Sequence, residues 1–250
     1  MSAPSHPWFR ADQAPFPRPE RPPAGKRLVV LAAHPDDDVL GCGGTLAAAA
    51  LANASTFAAV LYLTDGEKGK PDPDLGEEEI RARRREEARR ALVVLGATRH
   101  EWAGFPDTQL EAGSAEVEAV RRFLAAHRPD VLLVPAPFDP HPDHRATAHA
   151  AALALAKTNP LPAAIWLYEV QPCFPVDAIV RIDDTIEIKE RALAAHESQN
   201  DDGRLVRAGL GMAASRALYA PAGWGAAEGF RTCSPAVFTT YCAAAGWKIG

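Results

Sequence analysis

The chain has 250 residues, 47% of them hydrophobic, with 27 Lys and Arg against 32 Asp and Glu and a net charge of -5. That length and apolar content support one large α/β domain with a full core. The mildly acidic balance argues against a nucleic-acid or anionic-membrane surface, which needs a basic stripe; no apolar run is long enough to span a bilayer; and four cysteines without CxxC spacing fit a reduced, cytoplasmic compartment.

Residues 1 to 25 are proline-rich (Pro15-Phe16-Pro17-Arg18-Pro19-Glu20-Arg21-Pro22-Pro23) and lack periodicity. They read as an N-terminal arm, packed on the surface or partly disordered, in place of a signal-peptide core. Residues 26 to 250 read as one domain. Leu28 to Ala33 is a short apolar run suited to a central parallel strand. Gly43 to Ala54 reads as a helix, Phe57 to Leu63 as a second strand stopped at Thr64-Asp65-Gly66, and Glu67 to Asp74 as a charged loop. Glu77 to Leu95 is a long helix ended by Gly96, with arginines and glutamates interleaved at helical spacing, a solvated ion-paired face. A third strand over Arg99 to Trp102, a helix over Ala115 to His127, a fourth strand over Val131 to Val134, a helix over His144 to Lys157 and a fifth strand over Ile165 to Tyr168 follow. In the tail, Val176 to Ile182 reads as a strand, Thr185 to Gln199 and Leu205 to Tyr219 as helices, and the text after Pro221 as loops with one or two strand-like pieces. Alternating strands and helices imply βαβ units: an α/β fold with a Rossmann-like, largely parallel sheet flanked by helices.

Two of these apolar strands stop at runs that mix imidazole with carboxylate, His34-Pro35-Asp36-Asp37-Asp38 and His141-Pro142-Asp143-His144. Open α/β sheets bind ligands beyond the carboxyl ends of their strands. His34 and Asp37 are three apart, so one turn places both on one side, and neutral imidazole and carboxylate are zinc ligands. Adjacent carboxylates repel one another, which a divalent cation compensates; Asp36 or Asp38 could stay free as a base. The plainer alternative is that Asp36 or Asp37 caps the following helix. In the second run either histidine, or both, could ligate, and Asp143 could simply cap a helix. Gly41-Cys42-Gly43-Gly44-Thr45 is neither G-x-G-x-x-G nor a P-loop, so its glycines read as letting the helix pass close to the metal loop, with Cys42 a small buried hydrophobe. His149 reads as packing or solvent-facing; His196 could reach the site from the tail.

Ala33-His34-Pro35-Asp36-Asp37 with His141-Pro142-Asp143-His144 resembles the LmbE-like (PIG-L) family of zinc-dependent N-deacetylases. Leu63-Thr64-Asp65-Gly66-Glu67, Arg84-x-x-Glu87, Phe105-Pro106-Asp107 and His196-x-Ser198-Gln199 extend the likeness over most of Arg27 to Gln199. The family usually has Glu where this chain has Asp38. The resemblance implies His34, Asp37 and His144 as metal ligands, with water completing the coordination, and Asp36 as general base. It implies His141, oriented by Asp143, as oxyanion stabiliser or proton donor to the leaving amine, and Arg84 and Asp107 as substrate-binding residues. Zinc is the implied metal, and two histidines with one carboxylate also accept iron(II). The implied activity is hydrolysis of an N-acyl group, acetyl foremost, from a small N-acetylglucosamine-type conjugate by metal-activated water, with self-association left open. Two other readings stand beside it: another metallohydrolase, such as a phosphoesterase with a metal pair bridged by Asp36 and Asp38, and a non-catalytic sugar- or nucleotide-binding module built on the glycine-rich turn.

Overall fold

Eight strands form a single sheet in the computed structural model, which describes residues 17–246 except 24, 54, 55, 71, 98 and 172. In chain order the strands are β1 (Arg18–Glu20), β2 (Leu28–Ala32), β3 (Phe57–Thr64), β4 (His100–Phe105), β5 (Val131–Pro135), β6 (Ala164–Tyr168), β7 (Ala178–Arg181) and β8 (Ala227–Cys233). Across the sheet they run β1-β7-β8-β6-β5-β2-β3-β4. The five strands from β6 to β4 pair in parallel, β8 is antiparallel to both its neighbours, and β1 is parallel to β7. The sheet is therefore largely parallel and Rossmann-like at its centre, as the alternating pattern implies.

Seven helices flank it among the described residues: α1 (Asp37–Ala52), α2 (Glu77–Val94), α3 (Ser114–His127), α4 (Pro142–Leu155), α5 (Ile186–Ala194), α6 (Arg204–Ala217) and α7 (Pro235–Ala244). Leu28, Val30 and Ala32 face the core under α1, α2, α5 and α6, whereas Val29, Leu31 and Ala33 face the core under α3, α4 and α7. Burial on both faces is why the central strands are written as unbroken apolar runs.

Several elements depart from the sequence reading. Part of the proline-rich arm, Arg18–Glu20, is an edge strand; prolines are tolerated at an edge, where a missing N–H breaks no second ladder. The expectation for residues 1–16 lies outside the described residues. Helix α1 begins at Asp37 instead of near Gly43, and its first turn carries Asp37 and Asp38, where the helix dipole favours negative charge. The expected helix over Thr185 to Gln199 ends at Ala194 and is followed by a 3-10 turn, Glu197–Gln199. The largest difference lies after Pro221. There β8 sits inside the sheet, and Ser234, whose side chain accepts from the Val237 N–H, caps α7 with Pro235 in the first turn.

Polar text hid β8. Its Glu228 is buried, yet fully partnered: it accepts from the N–H groups of Gly44 (2.9 Å) and Thr45 (2.7 Å) and from buried Lys189 (2.6 Å). This network ties α1, α5 and β8 together. The glycine run in α1 serves the same packing. A Cβ at Gly41 would lie 2.2 Å from Tyr168 Cδ2 and 2.8 Å from the Glu169 carbonyl oxygen, and one at Gly44 would lie 2.7 Å from Ile182 Cδ1. The glycines thus let α1 approach β6 and Ile182, neither cradling a phosphate nor serving the metal loop directly.

Gly41→Ala is expected to destabilise the protein by about 1–3 kcal/mol through overpacking, read as a lower urea midpoint at unchanged slope. An unchanged midpoint would contradict this close approach.

Candidate metal centre

The topology puts the two polar runs at one place. β2 has β3 on one side and β5 on the other, so the strand order reverses between β2 and β5. Such a switch point opens a crevice at the carboxyl ends of the strands. β2 and β5 are parallel and in register, Leu28 opposite Val131 and Val30 opposite Leu133. Their ends lie side by side, and each delivers one run into the crevice.

Asp37 stands between two imidazoles. Its Oδ2 is 3.5 Å from His34 Nδ1 and its Oδ1 is 3.3 Å from His144 Nε2. The His34 backbone N–H donates to Asp37 Oδ2 at 2.8 Å, which fixes the carboxylate within its turn. Each imidazole has a carboxylate at its other nitrogen. His34 Nε2 lies 3.0 Å from Asp107 Oδ1 and 3.2 Å from Asp143 Oδ2, and His144 Nδ1 lies 3.0 Å from Asp139 Oδ1. Carboxylates in that position fix the ring orientation and tautomer of metal-binding histidines.

These placements revise the expected partners. The Asp143 carboxylate does not orient the His141 ring. It faces His34 and accepts the N–H groups of Thr108 (2.7 Å) and Leu110 (3.3 Å), and only its backbone N–H meets His141, at Nδ1 (3.2 Å). Asp107, expected to bind substrate, turns its Oδ1 to His34 while its Oδ2 accepts the Lys68 N–H at 2.9 Å. Asp139 was missed from the sequence. It accepts the His141 N–H at 2.8 Å as well as facing His144. The available signal was a carboxylate just ahead of a His-Pro-Asp-His run.

His141 sits at the N-cap of α4, with Pro142 at the first helical position. Its ring centroid is 4.7 Å from those of both His34 and His144. One ring nitrogen from each of these three histidines lies within 4.8 Å of the others, and so do donor atoms of His34, Asp107 and Asp143. Asp37, between the facing nitrogens of His34 and His144, makes a further candidate set, and its Oδ2, like the Asp107 and Asp143 carboxylates, already accepts a backbone N–H.

Asp36 occupies the N-cap of α1 at φ 124°, yet its side chain makes no cap hydrogen bond. The capping alternative therefore fails for it. Its Oδ2 is instead 3.1 Å from Arg84 Nη2. Arg84 is buried in α2 and bound to two loops, donating from Nη1 to the Gly66 carbonyl and from Nη2 to the Pro35 carbonyl, both at 2.6 Å. Gly66, at φ +67°, is required here, because a Cβ would fall 2.1 Å from Arg84 Nη1. Asp38 points the other way. It is fully buried, accepts the Tyr62 hydroxyl at 3.0 Å and does not line the cavity, so it is not placed to bridge a metal pair with Asp36. His196 is buried outside the cavity lining; burial, with the charges of Arg84 and Arg90, lowers it to about 3.

The electrostatics call for positive charge between the imidazoles. Burial opposes protonation of His144, but Asp37 and Asp139 outweigh it and raise the ring to about 9. His34 is likewise raised, burial being overcome by Asp107, Asp143 and Asp37. Burial works against ionised Asp37, yet the two imidazoles hold its carboxyl well below the usual range. Burial pushes Asp36 up to about 6 against the pull of Arg84, and lifts Asp38 to about 7. Burial and the charges on His34 and His144 lower His141. Two nitrogens and a carboxylate that together attract cationic charge fit a divalent ion. The donor set opens into a cavity of about 610 Å³, within the range for small-molecule sites.

A family model described as PIG-L, GlcNAc-PI de-N-acetylase, matches residues 29–155. Diacetylchitobiose deacetylase of Thermococcus kodakarensis is 31% identical to the chain over 196 residues, covering 70% of each protein. 1D-myo-inositol 2-acetamido-2-deoxy-alpha-D-glucopyranoside deacetylase 2 of Saccharopolyspora erythraea is 32% identical, over 49% of this chain and 54% of its own. Among solved structures, N,N'-diacetylchitobiose deacetylase of Pyrococcus horikoshii, complexed with its inhibitor MPG, superposes with a TM-score of 0.73 at 26% identity, covering 85% of both chains.

Two outcomes follow for metal binding. A raised imidazole pKa stabilises the ion-free fold fully below the unfolded value of about 6.5, and that contribution is lost as pH rises through about 9. The gain in Tm conferred by zinc should therefore widen between those pH values, and calorimetric titration in two buffers should register release of about one to two protons per ion. A Tm gain that shrinks with pH would contradict the assignment. Asp139→Asn should weaken metal binding by about 10–100-fold, measured by chelator competition; unchanged affinity would remove Asp139 from the centre.

Proposed function

The chain belongs to the PIG-L (LmbE-like) family of de-N-acetylases, and from that premise we propose a zinc-dependent hydrolase that removes the acetyl group from an N-acetylglucosamine-type conjugate. His34, Asp37 and His144 are the proposed ligands; a two-histidine, one-carboxylate set also suits iron(II). The observation that carries the reading is Asp36, a carboxylate free of capping, lining the cavity beside that donor set. The relatives bearing deacetylase names support the substrate class. Four free cysteines agree with a cytoplasmic location, which belongs to the same proposal; no helix among the described residues is long and apolar enough to cross a membrane.

A divalent ion in this donor set would lower the pKa of a water and polarise the amide carbonyl. The chain's own groups supply the rest. Asp36, pushed up to about 6, is matched to take a proton from the attacking water near neutral pH and return it to the departing amine. His141 accepts the Asp143 N–H at Nδ1, so its neutral ring carries the proton at Nε2. That N–H is a donor for the developing oxyanion. Of the two roles the resemblance implies for His141, its lowered pKa favours oxyanion stabiliser over proton donor to the amine. Arg84 acts on Asp36, holding its backbone and lowering its pKa, and is a positioning residue in this scheme. Acetate and the free amine are the products. A dinuclear phosphoesterase is disfavoured by the placement of Asp38.

Asp36→Asn should retain one ion per chain and lose about 10²–10⁴ of kcat; full turnover with bound metal would refute the base assignment. His141→Ala should keep the ion and lose about 10²–10³ in kcat, and loss of the ion would make it a ligand. Arg84 lowers the Asp36 pKa, so Arg84→Met should shift the acid limb of the pH–rate profile above about 6. An unmoved limb would uncouple the two residues.

A further inference from the structure

The cavity beside the metal centre is lined by two unlike sets of side chains. Lys68, Thr108, Gln171 and Gln199 belong to the polar one. Leu40 from α1, Val170 beyond β6, and Leu205, Ala208 and Met212 from α6 form the other. Positions 205, 208 and 212 fall at i, i+3 and i+7, so they share one helix face. The flank of α6 next to this face is locked in place: Gly209 and Ala213 are buried, and a Cβ at Gly209 would lie 2.5 Å from Leu193 Cδ1. The 205/208/212 edge is left half-buried or exposed, overhanging the crevice.

The charges in the cavity point the same way. Lys68 and Arg84 are the Lys and Arg side chains lining it, among the described residues. The Lys68 ammonium pairs with Glu77, and Arg84 is bound to Gly66, Pro35 and Asp36. Arg84 is thereby committed within the protein and the half-exposed Lys68 is shared with Glu77, so neither is dedicated to a phosphate or carboxylate on a substrate. The volume, about 610 Å³, lies in the range of sites for drug-sized ligands.

The geometry points to a substrate that carries an apolar group beside its N-acyl amino sugar, seated on Leu205, Ala208 and Met212. This rests on the deacetylase reading and narrows it. An alkyl or aryl aglycone and a long N-acyl chain offer the same chemistry to this wall.

Two pairs of compounds separate these sources on the zinc-loaded protein: methyl against octyl N-acetylglucosaminide, and N-acetylglucosamine against N-octanoylglucosamine, with N-acetylglucosamine 6-phosphate as the anionic comparison. In one pair the octyl or octanoyl member should exceed its short partner in kcat/KM by about tenfold or more, and the phosphate should be the poorest substrate. Ala208→Glu, at an exposed position, should bring that ratio near one. Equal rates within both pairs, or a preference for the phosphate, would overturn the inference. A second readout does not depend on turnover: binding by calorimetry of the methyl and octyl glycosides of glucosamine, and of N-octanoylglucosamine against N-acetylglucosamine, to the wild type and to Ala208→Glu. Should no N-acyl amino sugar be hydrolysed, the deacetylase reading falls. Binding then decides the wall on its own: an affinity ratio of about ten or more that Ala208→Glu abolishes supports it, and ratios near one in both pairs overturn it.

Discussion

Asp37 bridges two imidazoles that are themselves backed by Asp107, Asp143 and Asp139, all of them buried. Burying an uncompensated carboxylate costs several kcal/mol even after relaxation. The chain offsets this locally, by backbone N–H groups on Asp107 and Asp143 and by raising the pKa of His34 and His144. A divalent ion held there would replace those protons with charge of the same sign. Metal binding and the stability of the crevice are therefore coupled quantities.

The proposed base is held by a different device. Asp36 adopts a positive φ that a non-glycine residue takes only under constraint, at a cost on the order of 1–3 kcal/mol. Arg84 supplies the constraint from α2, through the carbonyls of Pro35 and Gly66 and the carboxylate itself. Gly66 leaves room for the guanidinium. The result separates two neighbouring acids by function: Asp37 faces the imidazoles, while Asp36 faces the cavity with a pKa closer to neutrality.

The central strands were legible because double-sided burial writes them as apolar runs. β8 was legible only as a strand-like piece without bounds or place, because its Glu228 is neutralised by Lys189 and two N–H groups from elements far away in sequence. The start of α1 was hidden because its first turn is made of the site's own acids. In the site, the spacing of the two runs brought out His34, Asp36, Asp37, His141 and His144, which the switch point gathers. Spacing does not encode side-chain direction: Asp107 and Asp143 turn toward His34, and Arg84 holds Asp36 while lining the cavity. Asp139 carries no motif of its own; its meaning appears only when the His144 ring is seen beside it.

The most direct test is anomalous diffraction at the zinc edge from crystals of the zinc-loaded protein. The account predicts one ion per chain at about 2.0–2.2 Å from His34 Nδ1, an Asp37 oxygen and His144 Nε2, with Asp36 and His141 uncoordinated. An ion held instead by His34 Nε2, Asp107 and Asp143, or a pair of ions sharing Asp36, would contradict it.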